Sequence, residues 1–379
     1  IQKDLYVNNG NWISIFLAIV WEYNFKLSWL PIINLILQGN FEILSNVVSS
    51  QVKVHAKYGG IVPYLAKREH QKNLAMVFKK TLAKSKIQNP KIIDFIAVTI
   101  GPGLEPCLWQ GINFAKNLAN DLKKPIVPVN HLEGHILANF LKPINKSLKS
   151  KTFKIFPAVG LVVSGGHTEL FLMKNIGKYK LLGETRDDAA GECLDKIARI
   201  LNLEYPGGPA IAQLADQWKL KTLNPKLKIQ NSKPSIKLPR PMIYQKNYDF
   251  SFSGLKTAVL YLTKKIGPTK LKDPKIKANI CFEVQQAIID VLISKTIRAA
   301  KEYKVKSILI GGGVSANKEL RKQFKLKLTI NNLQLNFLAP PKKFCTDNAA
   351  MIGIAGYFGF LRNKQKPPEK IKAKANLML

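Results

Sequence analysis

Two histidines, His131 and His135, stand four residues apart in "HLEGHILANF" (131–140), in a chain that has five histidines in all. Asn130 precedes them and suits the N-cap of a helix, because its side chain can accept from an amide of the first turn. Residues i and i+4 share a helix face, so both imidazoles project the same way, about 5–6 Å apart, which is metal-ligand spacing. Two capping or buried imidazoles are the alternative. Glu133 falls at the third helical position, where it can reach back to the Asn130 backbone N–H. The zinc-protease pattern H-E-x-x-H needs its glutamate directly after the first histidine. Here that place is Leu132 and the acid lies one step further round the helix, which argues against a peptidase. A third ligand is wanted, and a carboxylate completes a set that leaves positions open for substrate. Asp347, in "CTDNAAM" (345–351), lies where a loop meets an apolar helix, and it is either that ligand or an N-cap.

Glycine carries the second constellation. "VVSGGHTEL" (162–170) puts Ser164, Gly165, Gly166 and His167 at a hairpin tip, where backbone N–H groups can approach an anion. Hairpin geometry alone also favours Gly-Gly there. "LIGGGVSANKEL" (309–320) sets Gly311 to Gly313 between a strand and a helix, with Ser315 and Asn317 at the helix mouth. That arrangement suits a phosphate or ribose edge, although it is neither G-x-G-x-x-G nor a P-loop. "YPGGP" (205–209) is a third glycine turn. Acid collects between Asp187 and Asp195, with Asp188 and Glu192 between them. Read as one helix, this run puts Asp188, Glu192 and Asp195 on one face. Ala189, Ala190 and Gly191 keep the surroundings small, as close approach of a ligand requires; a solvated helix start is the plain alternative.

These residues need elements to hold them. "LPIINLILQGNFEILSNVVSSQ" (30–51) reads as a hairpin turning at Gln38-Gly39-Asn40. Gly59-Gly60 is a turn leading into an amphipathic helix with a basic outer face. "IIDFIAVTIGPGLEPCLWQGINFAKNLANDL" (92–122) is a buried strand, a Gly-Pro-Gly turn and a helix, and "KPIVPVN" is a strand feeding the His131 helix. Residues 142–154 are polar and basic, a lobe boundary, and 219–241 form a basic, proline-punctuated loop. A long amphipathic helix (279–305), the Gly311 loop and its helix, a final apolar helix and a basic tail complete the chain. Strands alternate with helices in both halves, which predicts α/β lobes.

With 379 residues and 46% apolar content, the chain is a globular protein of two domains. Its 59 Lys and Arg against 24 Asp and Glu leave a net charge of +35, a field that attracts polyanions, nucleic acid first; compositional drift toward Lys, Asn and Ile is the alternative. The four cysteines form no C-x-x-C pair, which argues against a disulfide framework or zinc knuckle and for a reducing compartment. The apolar runs at 12–21 and 27–37 are separated by Glu22, Asn24 and Lys26 and fall short of the ~18–20 residues of a membrane span. A secretory leader is not expected either.

Taken in order, "VSSQVKVHAKYGGIVPYLAKREH", "IAVTIGPGL", "VNHLEGHILA", "VSGGHTEL", "DDAAGECLDKIARIL", "YPGGP", "FSFSGLKTAV", "GGGVSAN" and "CTDNAAMI" resemble the bacterial and mitochondrial tRNA threonylcarbamoyladenosine transferases, over roughly residues 45 to 362. The resemblance implies an actin-like, sugar-kinase-like fold of two α/β lobes around a central cleft. It implies a divided chain: 1–40, divergent and lacking the first phosphate loop; 41–145, one lobe; 155–340, the other; 341–379, a final helix packing back on the cleft plus a basic tail. It implies a metal, Fe2+ with Zn2+ as the alternative, on His131, His135 and Asp347. It also implies threonylcarbamoyl-AMP lying against Val162, Val163, Ser164, Gly165, Gly166, His167, Asp195, Gly208 and Asn317. The partners implied are tRNA and either a paralogous subunit with a small ATPase or a second copy of the chain, in the cytoplasm or the mitochondrion and not at a membrane. The sequence departs from the family at several places. No "E-T-S-C-D" loop opens the chain, Tyr64 and Lys67 replace a Glu and a Ser, Glu105-Pro106-Cys107 replaces small residues, and Ala212 stands where many relatives carry an acid. A tRNA- or partner-binding scaffold without chemistry, and a metalloprotease, are the competing functions.

Overall fold

The computed structural model describes residues 14–19, 28–36, 40–49, 51, 54–55, 57–58, 62–141, 155–222 and 236–379, with the backbone alone up to Glu42 and at Val48, Lys221 and Thr222. The linker expected at 142–154, most of the loop at 219–241, and the turns at 38–39 and 59–60 lie outside these residues.

Two five-stranded sheets organise the chain. The first contains β1 (Ser14–Ile19), β2 (Ser28–Ile36), β3 (Asn40–Ser49), β4 (Phe95–Gly101) and β5 (Ile126–Asn130), in the order β3-β2-β1-β4-β5. The second contains β6 (Ala158–Val163), β7 (Thr168–Asn175), β8 (Lys178–Glu184), β9 (Ser307–Gly311) and β10 (Asn336–Leu338), in the order β10-β9-β6-β7-β8. Each begins as an antiparallel meander of three strands and continues in parallel from its first strand through the next two. The two lobes therefore repeat one topology. The expected hairpin at 30–51 is the β2–β3 pair. Strands β1 and β2 lie in the segment 1–40, which diverges from the family pattern, and their residues build the first sheet.

Helices fill both faces of each sheet. They are α1 (Pro63–Ser85), α2 (Glu105–Leu122), α3 (His131–Leu137), α4 (Ala190–Ile200), α5 (Gly207–Thr222), α6 (Ser253–Ile266), α7 (Pro268–Leu271), α8 (Pro274–Glu302), α9 (Lys318–Ile330) and α10 (Ala349–Leu361). The period-two alternation of the strands assigns the layers. Ile96 and Val98 of β4 face α1 and α2 in one core, while Phe95 and Ala97 face α3 and α10 in a second. Val162, Phe171 and Met173 of the second sheet close that second core from the other side. Val159, Leu161 and Val163 face outward into a third, with α4, α8 and α9. Thus α3 and α10 form a middle layer between the sheets. Every side chain of α3 is buried for that reason, its polar ones included.

The basic tail is not a free extension. Lys374 N–H donates to Ile100 O, Gly103 N–H to Ala375 O, and Asn130 Nδ2 to Met378 O at 3.1 Å. A Cβ on Gly101 would lie 1.9 Å from Lys374 O, so this glycine admits the tail.

Candidate active site

The Asn130 side chain accepts from Leu132 N–H at 2.8 Å and Glu133 N–H at 3.4 Å, the cap expected for α3. The capping box does not form. Glu133 Oε1 accepts instead from Tyr179 Oη at 2.8 Å and from Arg362 Nη2 at 2.7 Å. A buried carboxylate goes to the cation that can neutralise it, and Arg362 is within reach.

Asp347 comes from the other end of the chain. The cap of α10 is its neighbour Asn348, whose Oδ1 accepts from Met351 N–H at 2.9 Å and whose Nδ2 donates to Thr346 O at 2.8 Å. Pinned this way, the loop turns Asp347 toward α3. Its Oδ1 lies 2.8 Å from His135 Nε2 and 3.3 Å from His131 Nε2. The two imidazoles stand edge to face with centroids 4.7 Å apart. One ligand atom from each of the three residues lies within 4.8 Å of the others, and all three residues are buried.

The distances are those of ion pairs, yet the imidazoles are held neutral. Burial, then the neighbouring His135 and His167, push His131 well below its ordinary range. Burial and then His167 push His135 down to about 3, and burial pushes His167 down to about 4. Neutral imidazoles beside a carboxylate are the donor set of a divalent cation. These residues fit a metal.

The glycine segments close around this point for reasons of packing. A Cβ on Gly311 would lie 2.5 Å from His135 O, and one on Gly312, at φ +88°, 2.3 Å from Val163 O. A Cβ on Gly191 would meet Ser164 O at 2.6 Å. Gly191 is therefore small to admit the Ser164 turn, and Gly311 and Gly312 bring β9 against α3 and β6. In that turn Ser164 N–H donates to His167 O at 2.8 Å, and Ser164 Oγ accepts from His167 N–H at 3.1 Å and Gly166 N–H at 3.4 Å. Gly165 and Gly166 stay partly exposed. The Val162 and Val163 side chains are in the cores on either side of the sheet, so only their backbone can face a ligand.

The remaining predicted contacts gather at a second place. Asp195 Oδ1 accepts from Gly207 N–H at 2.8 Å and holds the start of α5. Burial raises its carboxyl to about 6, against the amides of Gly207 and Gly208. Gly208 and Asn317 line one narrow, mostly apolar crevice with Leu194, Ile211 and Gln285. Asn317 caps α9 through Leu320 N–H at 3.0 Å and donates to Gln285 Oε1 at 2.7 Å.

The acidic run divides. Because α4 starts at Ala190, Asp187 and Asp188 precede it and do not share a helix face with Asp195. Asp187 accepts from Ser251 Oγ at 2.5 Å, Ser253 Oγ at 2.7 Å and Phe252 N–H at 2.8 Å, which hold it below its usual range despite burial. Asp188 pairs with Lys196 at 2.5 Å.

Sequence reasoning missed Tyr179, Arg321 and Arg362. Arg321 ties the Gly311 segment to the Asp347 loop, donating to Ser315 O at 2.6 Å and Pro340 O at 2.8 Å. It was hidden in a run of surface cations. Tyr179 sat between two lysines, with no local signal. Arg362 had one signal, as the cation ending an otherwise apolar helix.

Residues 42–354 match the protein family described as tRNA N6-adenosine threonylcarbamoyltransferase. The chain is 45% identical over 321 residues to a protein of that name from Thermosipho africanus, covering 83% of this chain and 87% of that one. It is 42% identical to one from Clostridioides difficile, covering 87% and 90%. Among solved structures, HypF from T. kodakarensis superposes with a TM-score of 0.56 at 16% identity, over 93% of this chain and 49% of that one. A second, phosphate- and nucleotide-bound HypF gives 0.53 at 10% identity, over 92% and 46%. These likenesses place the chain in the actin-like, sugar-kinase-like fold class.

Proposed function

The chain belongs to the tRNA N6-adenosine threonylcarbamoyltransferase family, and from that premise we propose that it transfers a threonylcarbamoyl group from threonylcarbamoyl-AMP to the exocyclic amine of the adenosine 3′ of a tRNA anticodon. The amine nitrogen bonds to the carbamoyl carbon, the bond from that carbon to the phosphate oxygen breaks, AMP leaves, and the amine gives up one proton. One observation carries the reading: His131 and His135 Nε2 converge on Asp347 Oδ1 in the buried layer between the sheets.

Each residue has a part in this. His131, His135 and Asp347 would hold the metal, which supplies Lewis-acid polarisation of the intermediate's phosphate and threonyl oxygens when bound. Two imidazoles and one carboxylate suit Fe2+, with Zn2+ as the alternative. The Ser164 hydroxyl fixes the turn, and Gly165 and Gly166 let a phosphate approach its backbone. Asp195 holds the helix start that carries Gly208, opposite Asn317, where the adenosine would lie. An exocyclic amine is a weak nucleophile, so orientation supplies much of the rate. The +35 charge would hold tRNA through phosphate contacts, each giving about −0.7 to −0.9 in the slope of log K against log salt.

Glu133 opposes the protease reading, since Tyr179 and Arg362 already hold its carboxylate. We assign the cytoplasm as the compartment, with a paralogous subunit and small ATPase, or a second copy, as partner. Among the described residues no helix is long and apolar enough to cross a membrane.

The test is incubation with tRNA and threonylcarbamoyl-AMP. Wild type is expected to form the modified nucleoside, and His131→Ala and Asp347→Ala to lose about 100-fold or more, beyond what loss of a residue behind the ligands costs. Wild-type rates in both variants would refute the site. Intact tRNA affinity with no turnover by wild type would favour the scaffold.

A further inference from the structure

The Glu133–Arg362 pair lies on the far side of α3 from the metal centre. Glu133 is two residues from each histidine, and two residues are about 200° of helix, so its side chain leaves α3 on the face opposite theirs. The partners on the two faces belong to one element. Asp347 lies just before α10 and meets His131 and His135; Arg362 lies just after it and meets Glu133 at 2.7 Å. A rigid helix thus brackets α3 from both sides.

The second sheet adds to the bracket. Tyr179, on β8, donates to the same Glu133 oxygen at 2.8 Å. The β7–β8 turn yields to the guanidinium at Gly177, where a Cβ would lie 1.5 Å from Arg362 Nη1. Arg362 Nε is anchored on Phe358 O at 2.9 Å. Two turns of helix have little of their own to set their rotation, and rotation decides where the imidazoles point. We propose that Glu133 is a positioning residue, which with Arg362 and Tyr179 sets the rotation of α3 so that His131 and His135 meet Asp347. It touches no reacting atom. This inference rests on the metal reading above.

The test is calorimetric titration with Zn2+ alone, which does not depend on turnover. Glu133→Gln and Arg362→Met are expected to weaken Zn2+ binding about 10–100-fold, the usual cost of losing a residue behind the ligands. Arg362→Lys keeps the charge and restores most of the affinity. Tyr179→Phe removes one hydroxyl and costs a few-fold; it carries the test if Glu133→Gln fails to fold. Ile297→Ala, a cavity in the α8 core remote from α3, lowers stability and leaves affinity unchanged, which separates positioning from general loosening. If Glu133→Gln and Tyr179→Phe bind Zn2+ like wild type while His135→Ala does not, the inference falls and the metal reading stands. A wild type that binds no Zn2+ overturns both.

Discussion

The His131–His135–Asp347 centre and the glycine segments beside it use polar atoms in opposite ways. At the centre the fold brings donor atoms face to face, and the Nδ1 atoms of both histidines are buried without a hydrogen-bond partner. Around Ser164, Asp195 and Asn317 the fold consumes much of what it presents: the Ser164 hydroxyl serves its own turn, and Asp195 and Asn317 hold helix starts. Glycine-rich loops here are first of all places where backbone meets backbone. Their capacity to receive a phosphate is what remains after that packing.

Substitution at Gly311 and Gly312 should have the greatest consequence. In Gly311→Ala the new Cβ must displace His135 O, and Gly312→Ala adds a strained positive φ. Each is expected to cost about 1–3 kcal/mol, as overpacking does, measured by urea unfolding, and Gly311→Ala should also weaken metal binding. If both unfold like wild type, packing is not why these glycines are there.

Acid sets buried imidazoles against buried carboxyls in both regions and around them. His70 and His135 are pushed down to about 3, His167 to about 4, and His131 well below its ordinary value, all chiefly by burial. Unfolded, these rings take up protons near 6.5, so their contribution is whole above that pH and is lost progressively as pH falls from there toward about 3. Asp195, raised to about 6, and Glu169, raised to about 7, keep protons in the folded state that the unfolded chain has released. They favour folding as pH falls through the same window. In metal-free protein the four imidazoles outweigh the two carboxyls, so the urea midpoint should be lower at pH 5 than at pH 7, and Asp195→Asn should steepen the fall. A midpoint that rises on acidification would mean that the buried carboxyls, not the imidazoles, dominate.

The smallest effect is at the acidic run. Lys196 pairs with Asp188 and Glu192, but a third of its side chain is exposed. Lys196→Met should cost under about 1 kcal/mol and leave Zn2+ affinity unchanged. A change in affinity would tie this run to the site.

What could be read from the sequence was local. The i,i+4 histidines, the Asn130 cap and the Ser164 hairpin follow from neighbours a few residues apart, and their rules are short-ranged. Glu133 was assigned a local partner for that reason, whereas its real ones are 46 and 229 residues away. The start of α4 was set too early because carboxylates suit a helix N-terminus whether they lie inside it or just before it. A glycine marks close approach without saying to what, so the backbone neighbours of Gly191 and Gly311 are not legible in the sequence. The duplicated sheet order could not be read, since β1 and β2 share no motif with β6 and β7.

The most direct measurement is X-ray absorption at the metal edge of protein loaded with one equivalent of Fe2+ or Zn2+. Two imidazole nitrogens and at least one oxygen are expected around the metal, with one imidazole lost in His135→Ala. A shell without imidazole scattering, or one unchanged in that variant, would contradict this ligand set.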